Sequence, residues 1–213
     1  MIAHARRAVP WALVGVTAGL VIIMMTVVAH WTWVAWPLQG VSVGLLAATA
    51  AHCLDEPTPE LTDTAPRPLR WRAGAQGLGV AVLAGVWAVA VLALGGDLFG
   101  HRADVLGQGY AAMSAAVGVA ALLRSRGVPA PGLGIAAWII PAAMLLALGR
   151  PLPRELPVFP YTAEGPWPDS QILWSAAAIL GLLALGAALG DLMWHRPGSA
   201  AAAAPAGPIR TAP

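Results

Sequence analysis

The sequence predicts an all-α, multi-pass membrane protein with six transmembrane helices and both termini in the cytoplasm. Three observations lead to this prediction. Only 10% of the 213 residues are charged, whereas a soluble domain carries about 25%. The apolar residues stand in uninterrupted blocks long enough to cross a bilayer core, which takes about 20 helical residues. The twelve basic residues, all arginines, are shared unevenly between the segments that connect these blocks.

The six predicted spans hold no Asp, Glu or Arg, and together they form one transmembrane domain, 1–195. At about 1.5 Å of rise per residue, the second and the fifth are barely long enough to cross. The first resembles a signal peptide, but it is longer than a usual signal core and no clear cleavage pattern follows it, so we expect a membrane helix. The predicted spans are 11–29, 38–54, 73–95, 105–123, 133–149 and 172–190.

Arginine sets the orientation of the spans, because cytoplasmic loops carry the excess of positive residues. With the N-terminus inside, Arg102, Arg150 and Arg154 lie outside and the other nine of the twelve arginines lie inside. Both termini are therefore predicted to be cytoplasmic. The absence of Lys, with the richness in Ala, Gly and Pro, is typical of a high-GC bacterial genome, so we expect the plasma membrane of a bacterium.

The segments outside the spans have compositions of their own. The outer loop 150–170 is rich in proline, which disfavours a regular helix. The tail 196–213 has no amphipathic pattern and is expected to be disordered. Trp31, Trp33 and Trp36 follow the first span, where tryptophan rings suit the membrane interface. A tryptophan cage for a cationic or sugar ligand is the alternative.

Small residues are expected to pack the helices, because lipid supplies no hydrophobic drive between them. Three pairs of glycines stand four residues apart, and each pair fits close packing within the chain or at a subunit interface. Pro141 removes one backbone hydrogen bond from the fifth span and predicts a kink there. The pairs are Gly15 and Gly19, Gly40 and Gly44, and Gly186 and Gly190.

No pattern for catalysis is found, and the chain is predicted not to be an enzyme. It has no HExxH, GxSG or Walker A motif and no pair of intramembrane aspartates. One cysteine and five histidines without ligand spacing on one helix face predict no metal site and no cofactor. No basic run suggests nucleic acid. The polar residues of the spans are neutral and scattered: Gln39, Ser42, Thr49, Gln76, Gln108, Tyr110, Ser114 and Ser175.

A charged cluster lies in the predicted outer loop between the third and fourth spans. It consists of Asp97, His101, Arg102 and Asp104. One interpretation is a solvated turn whose charges partly neutralise each other. The other is a site that senses an external ligand or handles protons.

The most polar connection is the loop between the second and third spans. Residues 52–72 hold four of the ten acids, three of the twelve arginines and four of the nineteen prolines. Pro59 suits the first position of a helix, and Thr58 before it suits the cap. Acids at the start favour the helix dipole, and the APRP sequence ends the helix. We therefore predict a short, exposed, rigid helix on the cytoplasmic side, which suits a docking element.

This loop resembles the first cytoplasmic loop of membrane subunits from ABC-2-type transporters. Those loops show an acid, then T-x-E-L, then a T/A-P step and a basic residue. The predicted topology, six helices with both ends in the cytoplasm, also agrees with this family. More specifically, the chain resembles small permease-like proteins from actinobacteria. In that family the loop is a coupling helix that inserts into a groove of the ATP-hydrolysing subunit. Across 55–72, the resemblance assigns that contact to Glu56, Thr58, Glu60, Leu61, Pro66 and Arg67.

The resemblance implies a permease subunit that couples a partner ATPase to substrate translocation, with export as the expected direction. It would act as a homodimer or heterodimer of membrane subunits in the lipid bilayer. Spans without charge disfavour a small inorganic ion and are compatible with an amphipathic, lipid-like or peptide substrate. The alternative is a non-catalytic membrane accessory or assembly protein that binds partners through the Pro-rich outer loop and the tryptophans.

Overall fold

The computed structural model describes residues 8–31, 34–55, 69–94, 96, 98–149, 158–160 and 162–194. Within these residues the chain is helical and contains no strand, which confirms the all-α prediction. The described helices are α1 Trp11–His30, α2 Ala35–His52, α3 Leu69–Val89, α4 Arg102–Ser125, α5 Pro131–Met144 and α6 Trp167–Trp194. Segments Ala90–Leu94 and Leu145–Gly149 continue α3 and α5 as π-helix, and a single turn, Leu98–Gly100, precedes α4.

Five of these helices are long and apolar enough to cross a membrane, which fits a membrane-embedded protein. The helix that fails this criterion is α2, which contributes Gln39, Ser42 and Thr49 to the interior of the bundle. All three side chains are buried and hydrogen-bonded to residues of other helices. The five stretches that meet the criterion are Trp11–His30, Gly74–Ala93, Arg102–Ser125, Pro131–Gly149 and Trp167–Gly190.

The bundle contains two pairs of helices in very close contact. In the α2–α5 pair, a Cβ atom added to Gly40 would lie 2.6 Å from the Cβ of Ala147. A Cβ added to Gly44 would overlap Ala143. In the α4–α6 pair, a Cβ added to Gly118 would overlap the backbone of Gly181. Small residues let the backbones meet in both pairs, which is the basis of helix packing in a bilayer.

The other two glycine pairs stand in open space. A Cβ added to Gly15, Gly19, Gly186 or Gly190 meets nothing within 4 Å. Among the described residues these glycines therefore bring no helices together. Among the three equally spaced pairs, Gly40 and Gly44 are the ones at a helix contact inside the described chain.

The core between α1, α3 and α4 is filled by large side chains. Trp87 is fully buried, and its indole N–H donates to the carbonyl of Leu106 at 3.1 Å. The ring lies against Gly109, where any side chain would collide with it. By contrast, α6 presents exposed apolar side chains such as Leu180 and Leu183, 66% and 64% exposed. Such a face suits lipid as its solvent.

The described connections gather at two ends of the bundle, which we call the Asp55 end and the His101 end. The Asp55 end holds the C-terminus of α2 and the turn from α4 to α5. The His101 end holds the turn before α4 and residues 158–160 and 162–166 before α6, joined by contacts of His101. The first lies on the side predicted to be cytoplasmic, and the second on the side predicted to be outer.

Candidate functional site

The residues assigned to the coupling contact lie outside the described part of the chain. Asp97 of the charged cluster also lies outside it, as do residues 150–157 of the Pro-rich outer loop. The coupling residues concerned are Glu56, Thr58, Glu60, Leu61, Pro66 and Arg67. What the structure does describe is the point where the loop begins, at Asp55, and the other three members of the charged cluster.

His101 and Asp104 form the centre of the charged cluster. The Nδ1 of His101 lies 2.7 Å from Oδ2 of Asp104, and Nε2 lies 3.3 Å from the carbonyl oxygen of Ala163. The imidazole stacks on the indole of Trp167, with centroids 4.2 Å apart and planes 9° apart. Both ring nitrogens face oxygens that can accept a hydrogen bond, one of a carboxylate and one of a carbonyl. His101 thereby joins the start of α4 to the start of α6.

The turn before α4 is held in an unusual backbone conformation. Leu98 and Phe99 have φ of 44° and 57°, in the left-handed region that side-chain-bearing residues rarely occupy. Leu98 is buried, so burial of its side chain offsets the backbone cost. Arg102 donates from Nε to the carbonyl of Gly96 at 2.7 Å and closes the turn. In this turn Arg102 therefore binds backbone, and Asp104 is the cluster member that turns toward α6.

A chain of buried hydrogen bonds crosses the bundle near this end. Gln39 on α2 donates to Gln108 on α4 at 2.6 Å, and Gln108 donates to Ser170 on α6 at 3.2 Å. Ser170 donates to the carbonyl of Val158 at 3.2 Å. These three polar side chains are 3%, 2% and 1% exposed. The chain links the α2–α5 pair to the α4–α6 pair, and each donor polarises the next.

A polar cavity of about 320 Å³ lies between α4 and α6 at the His101 end. Asp104 is at its mouth and accepts a hydrogen bond from the amide of Gln171 in addition to His101. Ser114 and Ser175 also line it, and no hydrogen-bond partner is found for either hydroxyl among the described residues. Four of the scattered polar residues of the sequence, Gln108, Tyr110, Ser114 and Ser175, are thus brought to one cavity.

An apolar groove of about 380 Å³ lies between the two helix pairs. Its floor is made of small residues, including Gly44, Ala47 and Ala116, and its walls include Ile135 and Ile139. The lining is almost entirely carbon. Small side chains on the floor leave the space open, and the α5 residues that line it run from Ile135 to Leu146.

Trp174 is the wall that the cavity and the groove share. Its indole N–H donates to the carbonyl of Val158 at 2.9 Å. Its ring also packs on Phe159, with centroids 5.7 Å apart. A polar space and an apolar space therefore meet at one tryptophan, at the end of the bundle that is predicted to face outward.

At the Asp55 end, one carboxylate joins the end of α2 to the start of α5. Oδ1 of Asp55 accepts from the backbone N–H of Gly132 at 2.7 Å, and Oδ2 accepts from that of Leu133 at 2.8 Å. His52 lies 3.0 Å from the same carboxylate. Pro131 occupies the first position of α5, and a negative charge at a helix N-terminus is stabilising. We call this arrangement the Asp55 clamp.

The clamp was not predicted from the sequence, where Asp55 was assigned only to the acidic start of the loop. Its partners are 77 and 78 residues further along the chain. One local feature of the sequence could have indicated it. The helix that begins at Pro131 is preceded by Ala130, whose side chain cannot cap the helix. A helix N-terminus of that kind calls for an acceptor from elsewhere.

The described residues hold no group of three or more His, Cys, Asp or Glu side chains that could bind a metal ion. No family model, curated protein or solved structure matches the chain. The functional assignment therefore depends on the Asp55 clamp, the cavity and the groove.

Proposed function

We propose that this chain is the membrane-spanning permease subunit of an ABC transporter, coupling a partner ATPase to the export of a substrate. The observation that carries the proposal is the Asp55 clamp. The coupling-type loop, 55–72, begins at Asp55 itself. A force applied to that loop by a cytoplasmic partner is passed directly to the N-terminus of α5 through two charge-assisted hydrogen bonds.

The close contact of α2 with α5 supports the next step of the proposal. Glycine and alanine interlock the two helices at Gly40 and Gly44, and Gly132 lies against the backbone of Ala51 and His52. Packed interfaces of this kind move as rigid bodies and do not deform continuously. A push on the loop would therefore move α2 and α5 together.

The apolar groove lies where that movement would act. It separates the α2–α5 pair from α4, so rotation of one pair against the other changes its width. The polar contact that opposes the rotation is the bond between Gln39 and Gln108. In a dimer of membrane subunits, each copy would engage one ATPase, and ATP binding would alternate the groove between two widths. The transporter would lie in the bacterial plasma membrane with both termini cytoplasmic.

The first test is affinity purification of the tagged protein from its native membrane, with mass spectrometry of the co-purifying proteins. Wild type is expected to retain an ATPase subunit, and the variant Glu60→Arg/Leu61→Asp is expected to lose it. Retention of the same partners by both forms, or the absence of any ATPase, would overturn the proposal.

The second test separates docking from coupling. A cysteine introduced at Ala142→Cys, in a Cys53→Ala background, lies beside the groove, and its reaction with a maleimide reports groove width. We expect ATP to change the reaction rate when the ATPase is bound. The Asp55→Ala variant should still bind the ATPase but lose this response. A cysteine at the exposed, non-groove position Ala137 is the matched control.

A second candidate function is that of a non-catalytic membrane accessory protein. The observation that favours it is the exposed apolar surface of α5, where Trp138 is 81% exposed and Leu133 is 64% exposed. A large aromatic on such a surface suits a partner helix as well as lipid. This candidate takes precedence if Trp138→Ala removes the co-purifying proteins while Glu60→Arg/Leu61→Asp does not.

A further inference from the structure

We propose that the polar cavity and the apolar groove together bind one amphipathic molecule, with a neutral hydroxyl-bearing head group and a single hydrocarbon chain. The proposal deepens the proposed function by naming the substrate class. It depends on that function for the molecule's role as a substrate, but binding itself requires no ATPase.

The groove has the size and chemistry for a hydrocarbon chain. An engineered apolar cavity of about 150 Å³ stays free of water and binds benzene, and the groove, at about 380 Å³, is more than twice that volume. Its α5 wall runs over the eleven steps from Ile135 to Leu146, or about 16 Å at 1.5 Å per residue. One leaflet of a bilayer core is about 15 Å thick. The groove is thus long enough for a chain lying parallel to the lipid chains.

The polar cavity offers hydrogen-bonding groups that the protein itself leaves unused. The hydroxyls of Ser114 and Ser175 have no partner among the described residues, and Gln171 uses its amide N–H on Asp104, which leaves its carbonyl oxygen. Hydroxyl groups both donate and accept, so a hydroxylated head group such as a sugar matches serine hydroxyls and a carboxamide oxygen.

The charges at the cavity favour a neutral head group over a charged one. Asp104 is the one charged residue that lines the cavity, so an anionic head would meet repulsion and no cation. The negative charge of Asp104 already faces His101 and the amide of Gln171, so it does not call for a cationic head. The carboxylate oxygens keep further lone pairs, which can accept from a ligand hydroxyl.

Trp174 gives the reason for treating the two spaces as one site. The indole lines both, and its N–H donates to the carbonyl of Val158, so the ring has a fixed position at the boundary of the two spaces. An apolar ring face next to a polar cavity is the place where an amphipathic molecule changes from head to chain. The ligand class follows from this juxtaposition of a hydroxyl-lined space and a carbon-lined space.

The test uses photoreactive decyl glucoside, with a diazirine at the end of the chain, on the full-length protein in lipid nanodiscs without an ATPase. Two further probes carry the same chain with a trimethylammonium or a phosphate head. Labelled peptides are mapped by mass spectrometry, and unlabelled decyl glucoside is the competitor. We expect saturable labelling of the segment 135–146 by the glucoside probe, at least about fivefold above the two charged probes.

Two pairs of variants separate the chain site from the head site. Ala142→Phe fills the groove and should reduce labelling by about tenfold, whereas Ala137→Phe, exposed on the same helix away from the groove, should not change it. Ser114→Ala/Ser175→Ala should weaken competition by the glucoside by about tenfold and leave the labelling by the ammonium probe unchanged. Ser125→Ala, at the Asp55 end, is the control for the serine change.

The proposal is overturned by equal labelling from all three probes, by preference for a charged head, or by labelling that competitor does not reduce. It is also overturned if Ala142→Phe and Ala137→Phe behave alike. Because these measurements contain no ATPase, saturable binding without a co-purifying ATPase refutes the permease function and leaves the ligand site standing. A co-purifying ATPase without saturable labelling does the reverse.

Discussion

Replacement of Asp55 tests whether one carboxylate holds the Asp55 end together. Asp55→Ala removes the acceptor of two backbone N–H groups at the start of α5, those of Gly132 and Leu133. Loss of a capping side chain costs about 0.5–2 kcal/mol, and hydrogen bonds to a charged group are worth about 1.5–3 kcal/mol each. The carboxylate is 8% exposed, so solvent screens it little. Leu133 is exposed and its N–H regains water, so we expect a net loss of about 2 kcal/mol.

The assay is unfolding of the purified protein in nanodiscs, followed by tryptophan fluorescence. Asp55→Asn retains one oxygen acceptor and should lose about half as much of the unfolding free energy as Asp55→Ala. Asp169→Ala, on the exposed first turn of α6, removes an acid that makes no comparable pair of bonds and should stay within about 0.5 kcal/mol of wild type. If Asp55→Ala and Asp169→Ala have the same unfolding free energy, the clamp does not stabilise the fold. The clamp could then not transmit a force from the loop to α5.

Three further changes test the packing and the polar chain by the same measurement. Gly118→Ala should lower the unfolding free energy by more than about 3 kcal/mol, because the new Cβ would overlap the backbone of Gly181. Gly186→Ala, in open space, should be neutral or slightly stabilising. Equal effects of the two changes would show that the α4–α6 contact is not close. Gln108→Leu should cost about 1–3 kcal/mol because it leaves the buried amide of Gln39 unpaired, and a double change with Gln39→Leu should restore part of the loss; additive losses would contradict this. His101→Phe should lie closer to wild type than His101→Ala, because the phenyl ring keeps the aromatic stack; equal losses would show that the hydrogen bonds dominate.

The fold class could be predicted because it depends on local composition. Long uncharged blocks can satisfy their backbone hydrogen bonds in lipid only as helices. Helix ends depended on more than composition: α6 begins at Trp167, ahead of the predicted 172, despite Pro166 and Pro168. A proline in the first turn lacks an N–H that would be unpaired there in any case, so the proline-rich loop passes directly into helix.

The helix contacts could be predicted only in kind. The four-residue spacing is the same in the pair Gly40 and Gly44 as in the pair Gly15 and Gly19. No feature of the sequence tells which of the two pairs contacts another helix. The contact at Gly118 was missed because its companion four residues earlier is Ser114, a small residue that is not glycine. The partner on α6, Gly181, belongs to no such glycine pair. Neither side of this contact therefore matches the pattern of two glycines four residues apart.

The polar residues illustrate why a site is harder to predict than a fold. Gln39 and Gln108 are 69 residues apart, and each alone in a span has no more meaning than a single polar side chain. Their hydrogen bond depends on the register of two helices, which is set by packing and not by local sequence. Asp55 is a second example. Its charge predicts an exposed loop, but in the fold its carboxylate lies at the N-terminus of α5.

The central position of α2 connects packing to movement. Three polar side chains on this helix bind three different partners: Thr49 binds Thr17 at 2.8 Å, Ser42 binds the sulfur of Met24 at 3.3 Å, and Gln39 binds Gln108. Hydrogen bonds between helices in a membrane are worth about 0.6 kcal/mol each. Breaking all three would cost about 2 kcal/mol, which by itself would shift an otherwise balanced equilibrium to about one rearranged molecule in thirty. Contacts this weak, beside a rigid α2–α5 pair, hold the bundle in register and still let a partner that favours the rearranged state populate it.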